Sequence, residues 1–173
     1  MTSGQMYDGE WDSGIPHGRG KEINSAGDVY EGDFMMGKRH GHGKLTRKSG
    51  VTYDGFWEKG LPHGDGVETH PEGTRFEGKY QNGAQHGPGK MTFPDGSVFE
   101  GVFENGKRGG SGKLTTSAGD IYEGEFDGNM RSGKGTLRTK AGSLYEGQFS
   151  GGLPEGQGKL TNTDGDVYEG EFK

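Results

Sequence analysis

The 173 residues carry 20 Lys and Arg against 26 Asp and Glu, a formal net charge of −6, with 25% hydrophobic residues, 39 glycines and no cysteine. The lack of cysteine excludes disulfides and thiolate metal centres, which suits a reducing compartment, and the acidic balance argues against nucleic acid as a partner. No apolar run approaches the ~20 residues of a spanning helix and the polar start does not resemble a signal peptide, so we expect a cytoplasmic chain.

Composition alone would suggest disorder, but the order of the residues overrides it. From Tyr7 an aromatic returns every 23 residues, at Tyr30, Tyr53, Phe76, Phe99, Tyr122, Tyr145 and Tyr168. With each counted as position 1 of a unit, glycine fills positions 3, 12, 14 and 21 throughout, and position 8 everywhere except Asn129. Gly4 fits position 21 of a preceding unit, and of the 39 glycines only Gly109, Gly128 and Gly151 stand elsewhere. A period in this range means a repeat array. We expect residues 1–173 to form one array, with units starting at 7, 30, 53, 76, 99, 122 and 145 and a partial unit from 168. The chain enters at position 18 and stops six residues into the eighth unit, as an excerpt of a longer array would.

Each unit opens on a strand. Apolar residues or glycine at positions 1, 3 and 5 alternate with acidic or polar residues at 2 and 4, the pattern of a half-exposed strand, and no 3.6-residue recurrence suggests a helix. Positions 6 to 11 then read as a connecting loop containing glycine. A second strand follows, and positions 19 to 21, such as Ser25-Ala26-Gly27 and Pro94-Asp95-Gly96, predict a three-residue hairpin turn closed by glycine at positive φ. Across that turn position 17 faces position 23, pairing Ile23 with Val29, Thr46 with Thr52, Thr92 with Val98 and Thr115 with Ile121. Closing the other connection in the same register sets acid against lysine: Asp8 with Lys21, Glu31 with Lys44, Glu77 with Lys90, Glu100 with Lys113 and Glu146 with Lys159.

The predicted fold is therefore all-β: an elongated, single-layer antiparallel sheet of stacked hairpins, an open-ended rod about 70 Å long at ~4.8 Å per strand. One face carries two aromatic stripes separated by glycine, which lets rings lie over bare backbone. The other carries the Glu/Lys ladder. Exposed terminal strand edges predict self-association.

The unit Tyr122-Glu123-Gly124-Glu125-Phe126, followed by a glycine-containing loop, Gly133-Lys134-Gly135 and Gly142, resembles the MORN repeat ("membrane occupation and recognition nexus"), as does Tyr30-Glu31-Gly32-Asp33-Phe34 with Gly37, His40-Gly41 and Gly43. The resemblance covers essentially the whole chain. It implies a non-catalytic array of hairpins used in scaffolding, as in junctional membrane-tethering proteins, plant phosphatidylinositol phosphate kinases, a SET-domain methyltransferase and cytoskeletal scaffolds of protists and cilia. A chain of repeats alone looks most like the cytoskeletal type, located on the cytoskeleton or the cytoplasmic face of a membrane.

Several residues invite a chemical reading. His17, His40, His63 and His86 share position 11, but units ~10 Å apart cannot bring them to one ion; a metal bridging two chains through His40 with His42 or His70 is the alternative, and no metal or cofactor is expected within the chain. Gly106 to Lys113 imitates a phosphate-binding loop, yet Leu114 replaces the required Ser or Thr and no helix follows. No catalytic group breaks the repeat, so an enzyme is not expected. The partner and self-association surface is expected on the aromatic face, at Trp11, Phe34, Trp57, Tyr80, Phe126, Tyr145, Phe149, Tyr168 and Phe172, for a homodimer and for cytoskeletal or membrane-associated proteins. Glu22 and Glu68, where other units have Leu or Met, would make that face uneven. The alternative is weak binding of anionic lipid, phosphoinositide or phosphatidic acid, through Lys38, Arg39, Lys107, Arg108 and Arg131, read as loop cations outside the ladder.

Overall fold

A computed structural model describes residues 4–173. Among them there is no helix, and the fifteen strands follow one another in sequence order without crossover. The chain falls into two compact units, Met1–Gln85 and His86–Lys173. The first holds β1 (Met6–Asp12), β2 (Ile15–Ile23), β3 (Val29–Met35), β4 (Lys38–Thr46), β5 (Thr52–Glu58), β6 (Leu61–Thr69) and β7 (Arg75–Gln81). The second holds most of β8 (Ala84–Thr92), then β9 (Val98–Glu104), β10 (Lys107–Thr115), β11 (Ile121–Asp127), β12 (Met130–Arg138), β13 (Leu144–Ser150), β14 (Leu153–Thr161) and β15 (Val167–Phe172). In both, consecutive strands pair antiparallel as stacked hairpins.

The hairpin turns at positions 19 to 21 form as the glycine pattern predicts. Gly27 N–H donates to the Asn24 carbonyl at 2.9 Å with φ +87°, and the same closure recurs at Gly50, Gly96 and Gly142. The β-branched pairs across them also form: Ile23 faces Val29, Thr46 faces Thr52, Thr92 faces Val98 and Thr115 faces Ile121. Asp8 faces Lys21, Glu31 faces Lys44, Glu100 faces Lys113 and Glu146 faces Lys159 in register. The short ion pairs close the other way, from each lysine to the acid of the following hairpin: Lys21 to Glu31, Lys90 to Glu100 and Lys113 to Glu123, each at 2.7 Å. These pairs are half exposed and contribute little to stability.

The connection read as a loop over positions 6 to 11 is different. Positions 6 and 9 already pair, as Asp12 with Ile15 and Met35 with Lys38, which leaves a two-residue turn. Both of its residues have positive φ, as at Met36 (+50°) and Gly37 (+73°), the type I′ geometry that matches strand twist. The remaining residues form a bulge. Gly32 faces Gly43 and Phe34 faces Arg39, so position 4 alone opposes three residues around Gly41, itself at φ +60°. The Asp33 carboxylate accepts from the His42 N–H at 3.1 Å, and the Tyr30 hydroxyl donates to the Asp33 carbonyl at 3.0 Å, satisfying backbone groups that the bulge leaves without ladder partners. Tyr7, Tyr53, Tyr122, Tyr145 and Tyr168 make the same bond to their own position-4 carbonyls. Later turns are tied back as well: Gly37 N–H donates to the Pro16 carbonyl and Gly60 N–H to that of Arg39, both at 2.9 Å.

The core is the ring face. Tyr30, Tyr53, Phe99, Tyr122 and Tyr145 are buried over their position-14 glycines, and the position-5 rings Phe34, Trp57, Phe103, Phe126 and Phe149 are buried among them. A Cβ at Gly112 would lie 2.5 Å from two carbons of the Phe99 ring, and one at Gly66 2.5 Å from Tyr53, so glycine there is a requirement of packing. Gly106 has open space and is needed only for its φ of +79°.

Gly112→Ala is therefore expected to cost about 2–3 kcal/mol by forcing the Phe99 ring aside, against about 1 kcal/mol for Gly106→Ala from backbone strain alone. Urea denaturation of the two variants measures the difference. Burial holds the Tyr30, Tyr53 and Tyr80 hydroxyls well above the ordinary phenol range. Because the folded pKa lies above the unfolded one, their stabilisation is complete below about pH 10 and is lost as pH rises beyond it. The urea midpoint should fall above that pH, with these phenols ionising only on unfolding. Free titration of all seven tyrosines near pH 10 with the fold intact would contradict this.

Candidate functional site

Within each unit the rings of positions 1 and 5 form a continuous edge-to-face series. Tyr7 meets Phe34 at 4.9 Å, Tyr30 meets Trp57 at 5.1 Å and Tyr53 meets Tyr80 at 4.9 Å. In the second unit Phe99 meets Phe126 at 4.9 Å, and Tyr122 meets Phe149 and Tyr145 meets Phe172 at 4.8 Å. Aromatic pairs prefer this geometry, which adds to the energy of burial.

The series changes what the expected partner surface consists of. Phe34, Trp57, Tyr80, Phe126, Tyr145 and Phe149 are buried by neighbouring rings and do not offer contact area. Trp11 (46% exposed), Tyr168 (53%) and the partly exposed Phe172 do, because each lies in a hairpin with fewer neighbours among the described residues.

The cations considered for lipid also lie elsewhere than in loops. Lys38 and Arg39 open β4, Lys107 and Arg108 open β10, and Arg131 is the second residue of β12. Alternation along a strand separates position 9 from position 10. Lys38 and Lys107 are exposed, whereas the arginines lie over rings. Arg39 sits 4.9 Å from the centre of Tyr30 and 5.4 Å from that of Trp57; Arg108 is 5.5 Å from Phe99 and 5.4 Å from Phe126; Arg131 is 5.6 Å from Tyr122 and Phe149. Burial lowers the Arg108 pKa, and its guanidinium donates to the Asn129 carbonyl at 2.6 Å. These side chains roof the aromatic series through cation–π contact. The sequence does not reveal this role, because arginine alternates with proline at position 10, a pattern that reads as loop.

Glu22 and Glu68 also lie on this face. Glu22 closes an ion pair with Arg39 at 3.0 Å, and Glu68 meets His70 at 2.8 Å. Of the other histidines, His63 lies 3.6 Å from Glu58 and His42 lies 3.4 Å from Asp54. Among the described residues no three His, Asp or Glu side chains are grouped to hold a metal. Gly106 to Lys113 lies in the turn before β10 and in that strand, and the next element is strand β11, so the segment lacks the helix of a phosphate cradle.

The profile of the MORN repeat matches residues 7–29, 30–52, 53–75, 76–98, 99–121, 122–143 and 145–167. No curated protein matches the chain by sequence. Among solved structures, the TCP domain of SAS-4 (dCPAP) of Drosophila melanogaster, in complex with a proline-rich motif of Ana2 (dSTIL), is similar in fold: TM-score 0.54, 10% identity, 90% of this chain and 85% of that one. The G-box domain of the microcephaly protein CPAP gives a TM-score of 0.46 at 16% identity, covering 90% and 87%. The TCP10 domain of Danio rerio CPAP, with a peptide of Danio rerio STIL, gives 0.42 at 15%, covering 90% and 84%. Seven consecutive matched repeats across residues 7–167 establish that this chain belongs to the MORN-repeat family.

Proposed function

We propose that the chain is a non-catalytic scaffold that binds protein partners on its ring face and self-associates through a terminal strand, in cytoskeletal or membrane-associated assemblies. The observation that carries this reading is the contrast between sealed and open parts of the ring face. The interior rings are covered by one another and by arginines, while β15 leaves Val167 56% and Tyr168 53% exposed. Among the described residues β15 pairs only with β14. An apolar strand edge of this kind takes a second strand. The SAS-4 domain, whose fold is similar, is in complex with a proline-rich motif, which supports a partner segment on a sheet of this kind.

Lipid binding is the less favoured reading. Arg39, Arg108 and Arg131 are committed to rings, leaving Lys38 and Lys107 as the exposed members of that set, and a polybasic surface needs several cations at ~1 kcal/mol each.

Light scattering across a wide range of concentration should give a mass above the 18.5 kDa of one chain. The double substitution Val167→Lys, Tyr168→Lys places two charges on the open strand and should return the mass to that of a monomer. A monomer at every concentration before substitution would overturn self-association.

A further inference from the structure

Position 10 is Pro16, Arg39, Pro62, Gln85, Arg108, Arg131 and Pro154 in successive units. Every arginine there lies over at least two rings, and Arg39 in addition pairs with Glu22, which stands seventeen residues earlier at position 16. Position 16 is otherwise Leu or Met, with one exception, Glu68. Seventeen residues after Glu68, in the place that Arg39 holds relative to Glu22, stands Gln85. The first unit thus carries a second ring-face carboxylate in the same register, with a neutral amide where its guanidinium would be.

The surroundings of Glu68 fit a missing cation. Its side chain is only 24% exposed and lies beside Tyr53 in register. Its partner His70 is shared, with Nε2 at 2.8 Å from Glu68 and Nδ1 at 3.5 Å from Glu72, so two acids face one imidazole. Independently, the hydroxyl of Tyr80, a residue 4% exposed, is shut from solvent without a hydrogen-bond partner. After burial, the negative charge of Glu68 is the next cause holding the Tyr53 and Tyr80 hydroxyls protonated, which locates the carboxylate near both. An incoming guanidinium would donate to Glu68 and stack on a ring face.

We propose that Glu68 is the receptor for an arginine side chain of a protein partner, seated on the ring face in the place that Arg39 fills from within the chain. The proposal rests on the reading of the chain as a protein-interaction module. Arginine rather than lysine follows from the internal template: position 10 holds three arginines and no lysine, and a flat, weakly hydrated guanidinium stacks on rings where an ammonium does not. The net charge of −6 favours approach of a basic segment.

The test uses the full chain and the tripeptide acetyl-Gly-Arg-Gly-amide, with citrulline in place of arginine as the uncharged isostere. NMR titration should move the Glu68 carboxyl, His70 ring and Tyr80 signals with the arginine peptide, more weakly as salt rises, and leave them in place with citrulline. Glu68→Leu installs the residue of Leu45 and Leu114, keeps the fold by thermal melting, and should weaken binding at least ~tenfold, as loss of a charge-assisted contact does. Gln85→Arg should fill the site from within, raise Tm and block the peptide. Equal binding of the citrulline peptide, absence of arginine binding, or shifts that persist in Glu68→Leu would overturn the proposal. The mass of the unsubstituted protein is read without peptide, so failure here is distinguishable from failure of the scaffold reading.

Discussion

The whole arrangement depends on one contact, an aromatic ring packed against bare backbone. Where Tyr30 crosses Gly32 and Gly43, the two strands come so close that neither position tolerates a Cβ, and the ring takes the space that two side chains would have used. A single sheet ordinarily needs a second layer to bury its apolar face. Here the covering layer is supplied by the sheet's own side chains, bent over their own glycines and stacked edge to face with the next hairpin. The high glycine content and low hydrophobicity, which in isolation suggest disorder, are the composition that this solution requires.

The same contact explains the bulge. A tyrosine that reaches over two glycines ends with its hydroxyl above position 4, where the ladder has been interrupted and a carbonyl stands unpaired. Tyr30, Tyr53 and Tyr122 use that carbonyl, while Phe99 fills the same space without a hydroxyl to donate. Ring packing is therefore common to all units, and the hydroxyl bond adds to it where tyrosine is present.

The sequence made the period, the three-residue turns, the register and the ring face legible, because each of these leaves its own residue pattern: glycine at positive φ, β-branched partners and alternating polarity. Gly41 was harder to interpret. A glycine five residues before Thr46 and four after Gly37 reads equally well as part of a long loop, and only the backbone shows it as the pivot of a bulge beside a type I′ turn. Arg39 was misplaced for a related reason. Proline occupies its position in other units, and proline and arginine together suggest surface, whereas here both lie in a strand and the arginine bends back over Tyr30 and Trp57. Side-chain direction over a bulge cannot be counted from a period of two.

Position 10 also shows how such an array could diversify. What the neighbouring hairpin takes from Pro16, Arg39, Pro62, Arg108 and Arg131 is the carbonyl, to which a turn N–H of the following unit donates. Every residue has that carbonyl, including proline. That backbone bond is thus independent of the side chain at position 10, to which Arg108 adds a second bond from its guanidinium to the Asn129 carbonyl. Codons for proline, arginine and glutamine interconvert by a single base change, so lineages can rewrite the chemistry of the ring face one unit at a time while the stacking of the hairpins is inherited unchanged.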